Sequence, residues 1–124
     1  EGHGDLRPEH VCLVDPPVVI DCLEFSQRLR FVDPFDEVIF LGLECRTIGA
    51  PWIKDFMVCR IAAGLEGRPA EPVLLLYEAY RAFLRARQSL AHLLVPNPRE
   101  PAKWMPKARG YLDIAEQAVI TLAN

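Results

Sequence analysis

The feature that most constrains the fold is a helical period that runs from Glu71 or Pro72 to about Leu94. Apolar side chains recur on one side of it, at Val73, Leu76, Tyr77, Tyr80, Leu84, Leu90, Ala91 and Leu94, with Phe83 and Leu93 widening the stripe. Polar side chains fall on the other side, at Glu78, Arg81, Arg85, Ser89 and His92. The pattern predicts a central helix that packs on more than one side and ends before the prolines that follow.

Three further helices are predicted from capping signals and periodicity. Asp33 as N-cap and Pro34 at the first helical position begin a helix that runs to about Thr47, with a stripe of Val38, Leu41 and Cys45 flanked by Phe35, Ile39 and Leu43. A second helix is expected over 51–63, followed by a loop over 64–72. The last should run from about Lys103 or Pro106 to Leu122, with a stripe of Tyr111, Leu112, Ala115, Ala118, Val119 and Leu122. Trp52 and Trp104 are expected to be core or interface anchors.

The first residues carry a hairpin signal. Two runs rich in β-branched residues, 10–14 and 17–21, are separated by Asp15 and Pro16, which favour a turn, and 22–32 is expected to be loop with some extended structure. Such a hairpin brings Asp21 back beside the loop that holds Asp5 and His10. The fold class is therefore predicted to be mainly α (α+β), with one hairpin and about four helices.

Composition excludes several classes of function. A formal net charge of -3 gives no nucleic-acid footprint, and no apolar run is long enough to span a bilayer. Cys12, Cys22, Cys45 and Cys59 lack C-x-x-C spacing and lie in apolar stretches, so they are expected to be buried, reduced thiols of a cytoplasmic protein. A zinc site built from them with His3 or His10 is a weaker alternative, because structural zinc ligands come as closely spaced pairs.

A motif opens the chain. Residues 3–10 read H-G-D-L-R-P-E-H, and the second hairpin strand ends Ile20-Asp21. This arrangement resembles the aminoglycoside phosphotransferase family, whose fold is protein-kinase-like and whose loop reads H-G-D-x-x-x-x-N before a strand ending I-D. The likeness is specific over 2–46, although His10 stands where the family has Asn. Beyond that it is weaker, but 77–87 is similar to the long helix of a bacterial subgroup described as aminoglycoside phosphotransferase-like.

The resemblance implies a single partial domain over 1–124, the later portion of a kinase-like C-terminal lobe. The catalytic loop and hairpin would occupy 1–32 and a helical subdomain 33–124. Such enzymes use ATP or another nucleoside triphosphate with Mg²⁺ to phosphorylate a hydroxyl group of a small molecule. No G-x-G-x-x-G and no G-x-x-x-x-G-K-[ST] occurs in the chain, so the nucleotide-holding N-terminal lobe is expected elsewhere in the same parent polypeptide. The chain alone should be inactive, and apolar surface left exposed should favour a homo-oligomer.

The resemblance also implies residue roles. Asp5 would be the catalytic base, and Asp21 would hold the magnesium that bridges the nucleotide phosphates. His10 would bind metal, bind a phosphate when protonated, or only position Asp5, and imidazole is a poorer magnesium ligand than oxygen. Glu24 could serve as an auxiliary metal ligand. His3 is assigned to the catalytic loop, with bracing of that loop through backbone hydrogen bonds favoured over direct chemistry.

Two other classes stay open. One is a degenerate kinase-like domain that binds a nucleotide or partner without transferring phosphate, which His10 in place of Asn supports. The other is a helical interaction module whose opening motif is coincidental. The second alternative predicts that the Asp5 and Asp21 side chains lie far apart.

Overall fold

Helices account for most of the chain, as predicted. They are α1 (Pro34–Thr47), α2 (Trp52–Gly64), α3 (Glu71–Ala91) and α4 (Pro101–Ala123). Two short strands, β1 (Val11–Cys12) and β2 (Val18–Val19), pair antiparallel with Val11 opposite Val19, and single 3-10 turns cover Pro8–His10 and Gln27–Arg30. The mainly α (α+β) class with one hairpin and four helices is thereby confirmed.

This computed structural model describes all 124 residues, which form two compact units, residues 1–70 and 71–124. The first contains the hairpin, α1 and α2, and the second contains α3 and α4. Within the first unit the opening loop bonds to α1, through the hydrogen bond from Gly4 to Glu37. The predicted subdivision after residue 32 stays a prediction. None of the helices combines the length and apolarity needed to cross a membrane.

The core of the first unit is α1, whose predicted stripe is confirmed. Asp33 caps the helix, since its Oδ1 accepts a hydrogen bond of 2.8 Å from the amide of Phe35. All six predicted stripe residues are buried: Phe35, Val38, Ile39, Leu41, Leu43 and Cys45. At Gly42 an added Cβ would lie 2.6 Å from the Cα of Lys54, so glycine permits α1 and α2 to approach closely there.

In the second unit, α3 and α4 pack through small side chains, and the predicted orientation of α3 is wrong. Its buried residues are Leu74, Glu78, Ala79, Ala82, Ala86 and Ser89, and those of α4 are Ala108, Tyr111, Ile114, Ala115 and Ala118. Glu78 and Ser89, expected on the polar side, are buried, whereas Leu76, Tyr80 and Leu90 are exposed. Alanines let two helix axes approach more closely than leucines do, so the small face is the one that forms the contact. On α4, Leu112 and Val119 are likewise exposed rather than buried.

Several other side chains differ from expectation. Cys45 is buried, and burial together with the neighbouring Glu44 charge raises the pKa of its thiol. Cys22 and Cys59 are exposed, because the segment after the hairpin packs little and Cys59 lies on the outer side of α2. Trp52 is exposed on α2 and meets Phe56 edge to face.

The remaining predictions concern the ends of helices and the loops. Trp104 is partly buried, and its indole Nε1 donates to the carbonyl of Arg99. Arg87 is exposed on α3. The segment 22–32 contains a 3-10 turn and no strand. α3 ends at Ala91, three residues before the predicted end, because the chain tightens into turns.

Candidate functional site

The loop at residues 2–10 is held by a carboxylate on α1. The backbone amide of Gly4 donates a hydrogen bond of 2.5 Å to Glu37 Oε1. Gly4 has a φ of 85°, and an added Cβ would lie 2.8 Å from Leu23 Cδ1 and 3.0 Å from the carbonyl oxygen of Leu29. Position 4 therefore requires glycine for its backbone angle and for its space. No sequence pattern indicated that Glu37 holds the loop, and this role was not predicted.

The hairpin places Asp21 beside the loop. Beyond the two-residue ladder, the amide of Ile20 donates 2.9 Å to the carbonyl of His10, and the amide of Leu23 donates 3.1 Å to the carbonyl of His3. These bonds continue the pairing, so the second strand returns along the loop. The expected proximity of Asp21 to the loop residues is observed: Asp21 Oδ2 lies 3.3 Å from His10 Nε2.

His3 braces the loop against the end of the second strand. Its Nε2 lies 2.7 Å from the carbonyl oxygen of Ile20, which can only accept, so this nitrogen carries the proton. Its Nδ1 then accepts a hydrogen bond of 3.3 Å from the amide of Asp5. Both ring nitrogens are used by backbone, which is the bracing role that the sequence interpretation favoured. The His3 ring also stacks on His10, with ring centroids 5.5 Å apart.

His10 is the buried centre of the cluster. Its Nδ1 lies 2.8 Å from the carbonyl oxygen of Asp5 and so donates to it. In the neutral ring Nε2 must then accept, and the Arg7 guanidinium nitrogen Nη2 lies 3.0 Å away. If Nε2 also carried a proton, it would donate to the Asp21 carboxylate and could not accept from Arg7. One ring thus connects the base candidate Asp5 to the metal-ligand candidate Asp21.

Arg7 orders the carboxylates of the loop. It lies 3.1 Å from Asp5 Oδ2 through both Nε and Nη2, and 2.7 Å from Glu9 Oε1 through Nη1. Arginine's planar fork suits such contacts and holds Asp5 in one orientation. The polar contacts of the Arg7 side chain, with Asp5, Glu9 and His10, all lie within the loop.

Asp21 shares a positive φ with three other non-glycine residues, Glu66, Asn97 and Glu100. Its φ is 62°, in the left-handed region, and its carboxylate is 76% exposed. Asp and Asn tolerate this region better than other residues with a side chain, but it still costs free energy. Strained backbone of this kind clusters at functional sites. The strain and the exposed carboxylate coincide at the residue that the sequence assigned to a metal.

Glu24 is exposed on the segment that follows. The structure contains no group of three or more His, Cys, Asp and Glu side chains placed to hold one metal ion. The alternative of a zinc site with cysteine ligands is therefore not supported by any such cluster. Magnesium makes a different demand, since it commonly takes one or two carboxylates and completes its shell with water and substrate phosphates.

Comparison with known proteins gives three relatives. Uncharacterized proteins of Mycobacterium bovis and of two Mycobacterium tuberculosis strains are each 33% identical to this chain over 88 residues. The match covers 70% of this chain but 18% of each relative, so the chain corresponds to a small part of much longer proteins. No protein-family model matches the chain, and no solved structure matches it.

Proposed function

We propose that this chain is the C-terminal-lobe part of an ATP- and magnesium-dependent phosphotransferase of the aminoglycoside phosphotransferase-like family, which acts on a hydroxyl group of a small molecule. The observation that carries the proposal is that the backbone carbonyl of Asp5 and the carboxylate of Asp21 both lie against the buried imidazole of His10. The carbonyl of Asp5 lies 2.8 Å from His10 Nδ1, and the carboxylate of Asp21 lies 3.3 Å from His10 Nε2.

Asp5 has the role of catalytic base in this proposal. Arg7 engages only its Oδ2, and the side chain is part-buried, so Oδ1 can accept a hydrogen bond from a substrate hydroxyl. In phosphoryl transfer of the kinase type such an Asp orients the attacking hydroxyl and accepts its proton. The fixed orientation that Arg7, His3 and His10 give to the loop supports this assignment.

Asp21 fits a magnesium ligand. Its carboxylate is exposed and can offer an oxygen to an ion that keeps waters and nucleotide phosphates as its other ligands. When bound, the ion would neutralise charge that develops on the phosphates. Glu24, three residues later and exposed, remains the proposed auxiliary acid.

His10 is proposed to position Asp5 rather than to ligate metal. Its neutral ring uses Nδ1 toward the Asp5 carbonyl and Nε2 toward Arg7, so neither nitrogen presents a free lone pair. Magnesium also prefers oxygen. Of the three roles considered for His10, positioning is the one that its contacts support.

The rest of the proposed active site comes from other sequence. A Gly-rich loop and a strand Lys that hold the nucleotide are needed, and neither is in this chain. The proposal therefore includes an N-terminal lobe in the same parent polypeptide and an inactive isolated chain. It also includes a cytoplasmic location, where ATP is abundant and free thiols such as the four cysteines stay reduced.

Mutation of the full-length polypeptide tests the chemistry. Asp5→Asn keeps the size of the side chain but removes the base, so kcat for ATP-dependent phosphorylation should fall by about 10²- to 10⁴-fold. Asp15→Asn is the matched control, because Asp15 is an exposed Asp in the hairpin turn. Full activity in Asp5→Asn would contradict the assignment of the base.

Metal binding can be tested on the chain itself. Mn²⁺ as a paramagnetic probe should broaden the amide resonances around Asp21 and Asp5 at lower concentration than those elsewhere. Asp21→Asn should remove this selectivity and Asp15→Asn should keep it. Equal broadening at Asp15 and Asp21 in the unmodified chain would count against a metal role for Asp21.

A degenerate kinase-like binding domain is the second candidate, and the contacts of His10 favour it. If His10 cannot supply the second metal ligand that the family takes from Asn, nucleotide could bind without transfer. The two functions separate in one measurement on the full-length polypeptide. Nucleotide binding that needs Asp21, without phosphate transfer to any of a panel of small-molecule alcohols, would favour the degenerate domain.

A further inference from the structure

The α3–α4 pair carries an exposed apolar face that is distinct from its packed core. Three residues of α3 and three of α4 form it, each 36–57% exposed: Leu76, Phe83, Leu90, Met105, Leu112 and Val119. Within each helix these residues are spaced by seven, the repeat of helices that pack side by side. All of them except Met105 belong to the apolar stripes predicted from the sequence, yet each is exposed on the α3–α4 pair.

The two halves of this face lie on the same side. At about 100° per residue, the exposed residues of each helix lie roughly a third of a turn around the helix axis from the centre of its buried residues. The direction of this rotation is the same in both helices. The helices are antiparallel, as shown by the stacking of His92 on Trp104 with centroids 3.8 Å apart and by Arg85 lying 5.6 Å from the Tyr111 ring. Equal rotation on facing antiparallel helices carries both sets to one side.

The face is also built in layers. Arg85 meets Tyr111 and His92 meets Trp104, so a step of seven residues along α3 matches a step of seven along α4. Leu90 is therefore about level with Met105, Phe83 with Leu112, and Leu76 with Val119. Three level apolar layers on one side of an antiparallel helix pair form half of a four-helix bundle.

We propose that this face binds a second copy of the chain, so that two α3–α4 pairs form an antiparallel four-helix bundle. The layers are symmetric about the one that contains Phe83, so a two-fold axis through it places the Leu76 layer on the partner's Leu90 layer. The same axis brings Arg87 over the partner's Tyr80, a favourable cation–π arrangement.

The size of the face is sufficient for such a dimer. A helix such as α3 is about 30 Å long, and two packed helices are about 20 Å wide. One side of α3 and α4 therefore buries roughly 600 Å² per copy and roughly 1,200 Å² in the dimer. That total lies at the lower limit of stable interfaces, about 1,200–2,000 Å². The dimer is therefore expected to dissociate on dilution. This inference does not depend on the proposed phosphotransferase activity.

Sedimentation equilibrium of the 124-residue chain tests it from about 1 µM to about 1 mM, a range that covers weak dimers. The chain should be a concentration-dependent dimer, and Phe83→Glu should be monomeric throughout. Leu13→Glu, which changes an 89% exposed leucine of the hairpin, is the matched control and should still dimerise. Far-UV circular dichroism verifies helicity, and Phe83→Gln replaces Phe83→Glu if the charge unfolds the helix.

Contacts in a mixed sample test the orientation. In a dimer assembled from differently labelled copies, NOEs between the methyl groups of Leu76 and those of the partner's Leu90 are expected. A chain that is monomeric at every concentration overturns the proposal and leaves the face to other sequence of the parent polypeptide. A dimer that Phe83→Glu leaves intact, or one without the Leu76–Leu90 contacts, also overturns it.

Discussion

The opening segment, residues 1–24, and the α3–α4 pair are stabilised in opposite ways. In the opening segment only His10 is buried, β1 is half-buried and β2 is exposed, so the shape of the segment depends on individual hydrogen bonds such as that from Gly4 to Glu37. The α3–α4 pair depends on many small apolar contacts, among them Ala82 and Ala115, which are fully buried. A segment held by a few hydrogen bonds can position reactive groups, but the loss of any one of these bonds should disturb its structure. Distributed packing gives stability with no single indispensable contact except at its largest side chain.

Tyr111 is that side chain, and its removal should give the largest effect. It is 1% exposed in the α3–α4 core, with the cations of Arg85 and Lys107 within 6 Å of its ring at 5.6 and 5.9 Å. Tyr111→Ala should lower the free energy of unfolding of these helices by about 3–5 kcal/mol, as for other buried aromatics. Hydrogen exchange at α3 and α4 amides measures this. Tyr111→Phe, which keeps the ring, should cost less than about 1.5 kcal/mol, and an equal loss in both variants would show that the hydroxyl rather than packing dominates.

Glu37 tests how the opening segment is stabilised. Glu37→Ala leaves the Gly4 amide without its acceptor, and loss of a charged partner costs about 1–3 kcal/mol. The effect should be local, with faster exchange at the amides of residues 2–10 and little change in α3 or α4. Glu37→Gln keeps a carbonyl oxygen and should recover part of the protection. Unchanged exchange in Glu37→Ala would mean that the loop is held by its other contacts.

The same difference explains which structural features were predictable. The helices follow from local signals, such as the Asp33 cap and the period of α1, and the hairpin follows from its turn residues, so both are readable from sequence. The buried side of α3 is not, because the choice between its alanine face and its leucine face depends on the surface of α4 that it meets. The bond between Glu37 and Gly4 joins residues 33 positions apart, and no local pattern indicates it.

The candidate site was predictable to a similar degree. The order of Asp5, His10 and Asp21 along a loop and hairpin indicates their proximity, which the structure confirms by the 3.3 Å contact between His10 and Asp21. The role of Arg7 and the left-handed backbone of Asp21 require coordinates. The burial of the cysteines was predicted from their spacing and apolar neighbours, and Cys22 and Cys59 show that an apolar neighbourhood in sequence does not ensure burial.

Removal of the Asp33 side chain should have a smaller effect, because this residue stabilises only the start of α1. Its Oδ1 caps α1 through the amide of Phe35 at 2.8 Å. Asp33→Ala should cost about 1 kcal/mol, the usual value of an N-cap, as measured by urea unfolding followed at 222 nm for helix signal. Asp33→Ser, which can still cap, should cost less. If both variants lose the same stability, the side chain matters for something other than capping.

Asp21 should give the smallest effect, and one of opposite sign. Its φ of 62° is a conformation that glycine adopts without steric cost. Asp21→Gly should therefore leave stability unchanged or raise it by up to about 1 kcal/mol, the scale of the left-handed penalty, offset by the greater freedom of glycine in the unfolded chain. Asp21→Asn, which tolerates the same backbone, should be nearly neutral in urea unfolding. Both variants should lose the selective Mn²⁺ broadening, because both lack the carboxylate.

Unchanged or higher stability with loss of metal binding would indicate that the Asp21 carboxylate serves metal binding and that its backbone conformation lowers stability. A loss of stability in Asp21→Gly beyond about 1 kcal/mol would instead show that the His10–Asp21 contact helps to hold the opening segment, and the contrast with the α3–α4 pair would then be one of degree.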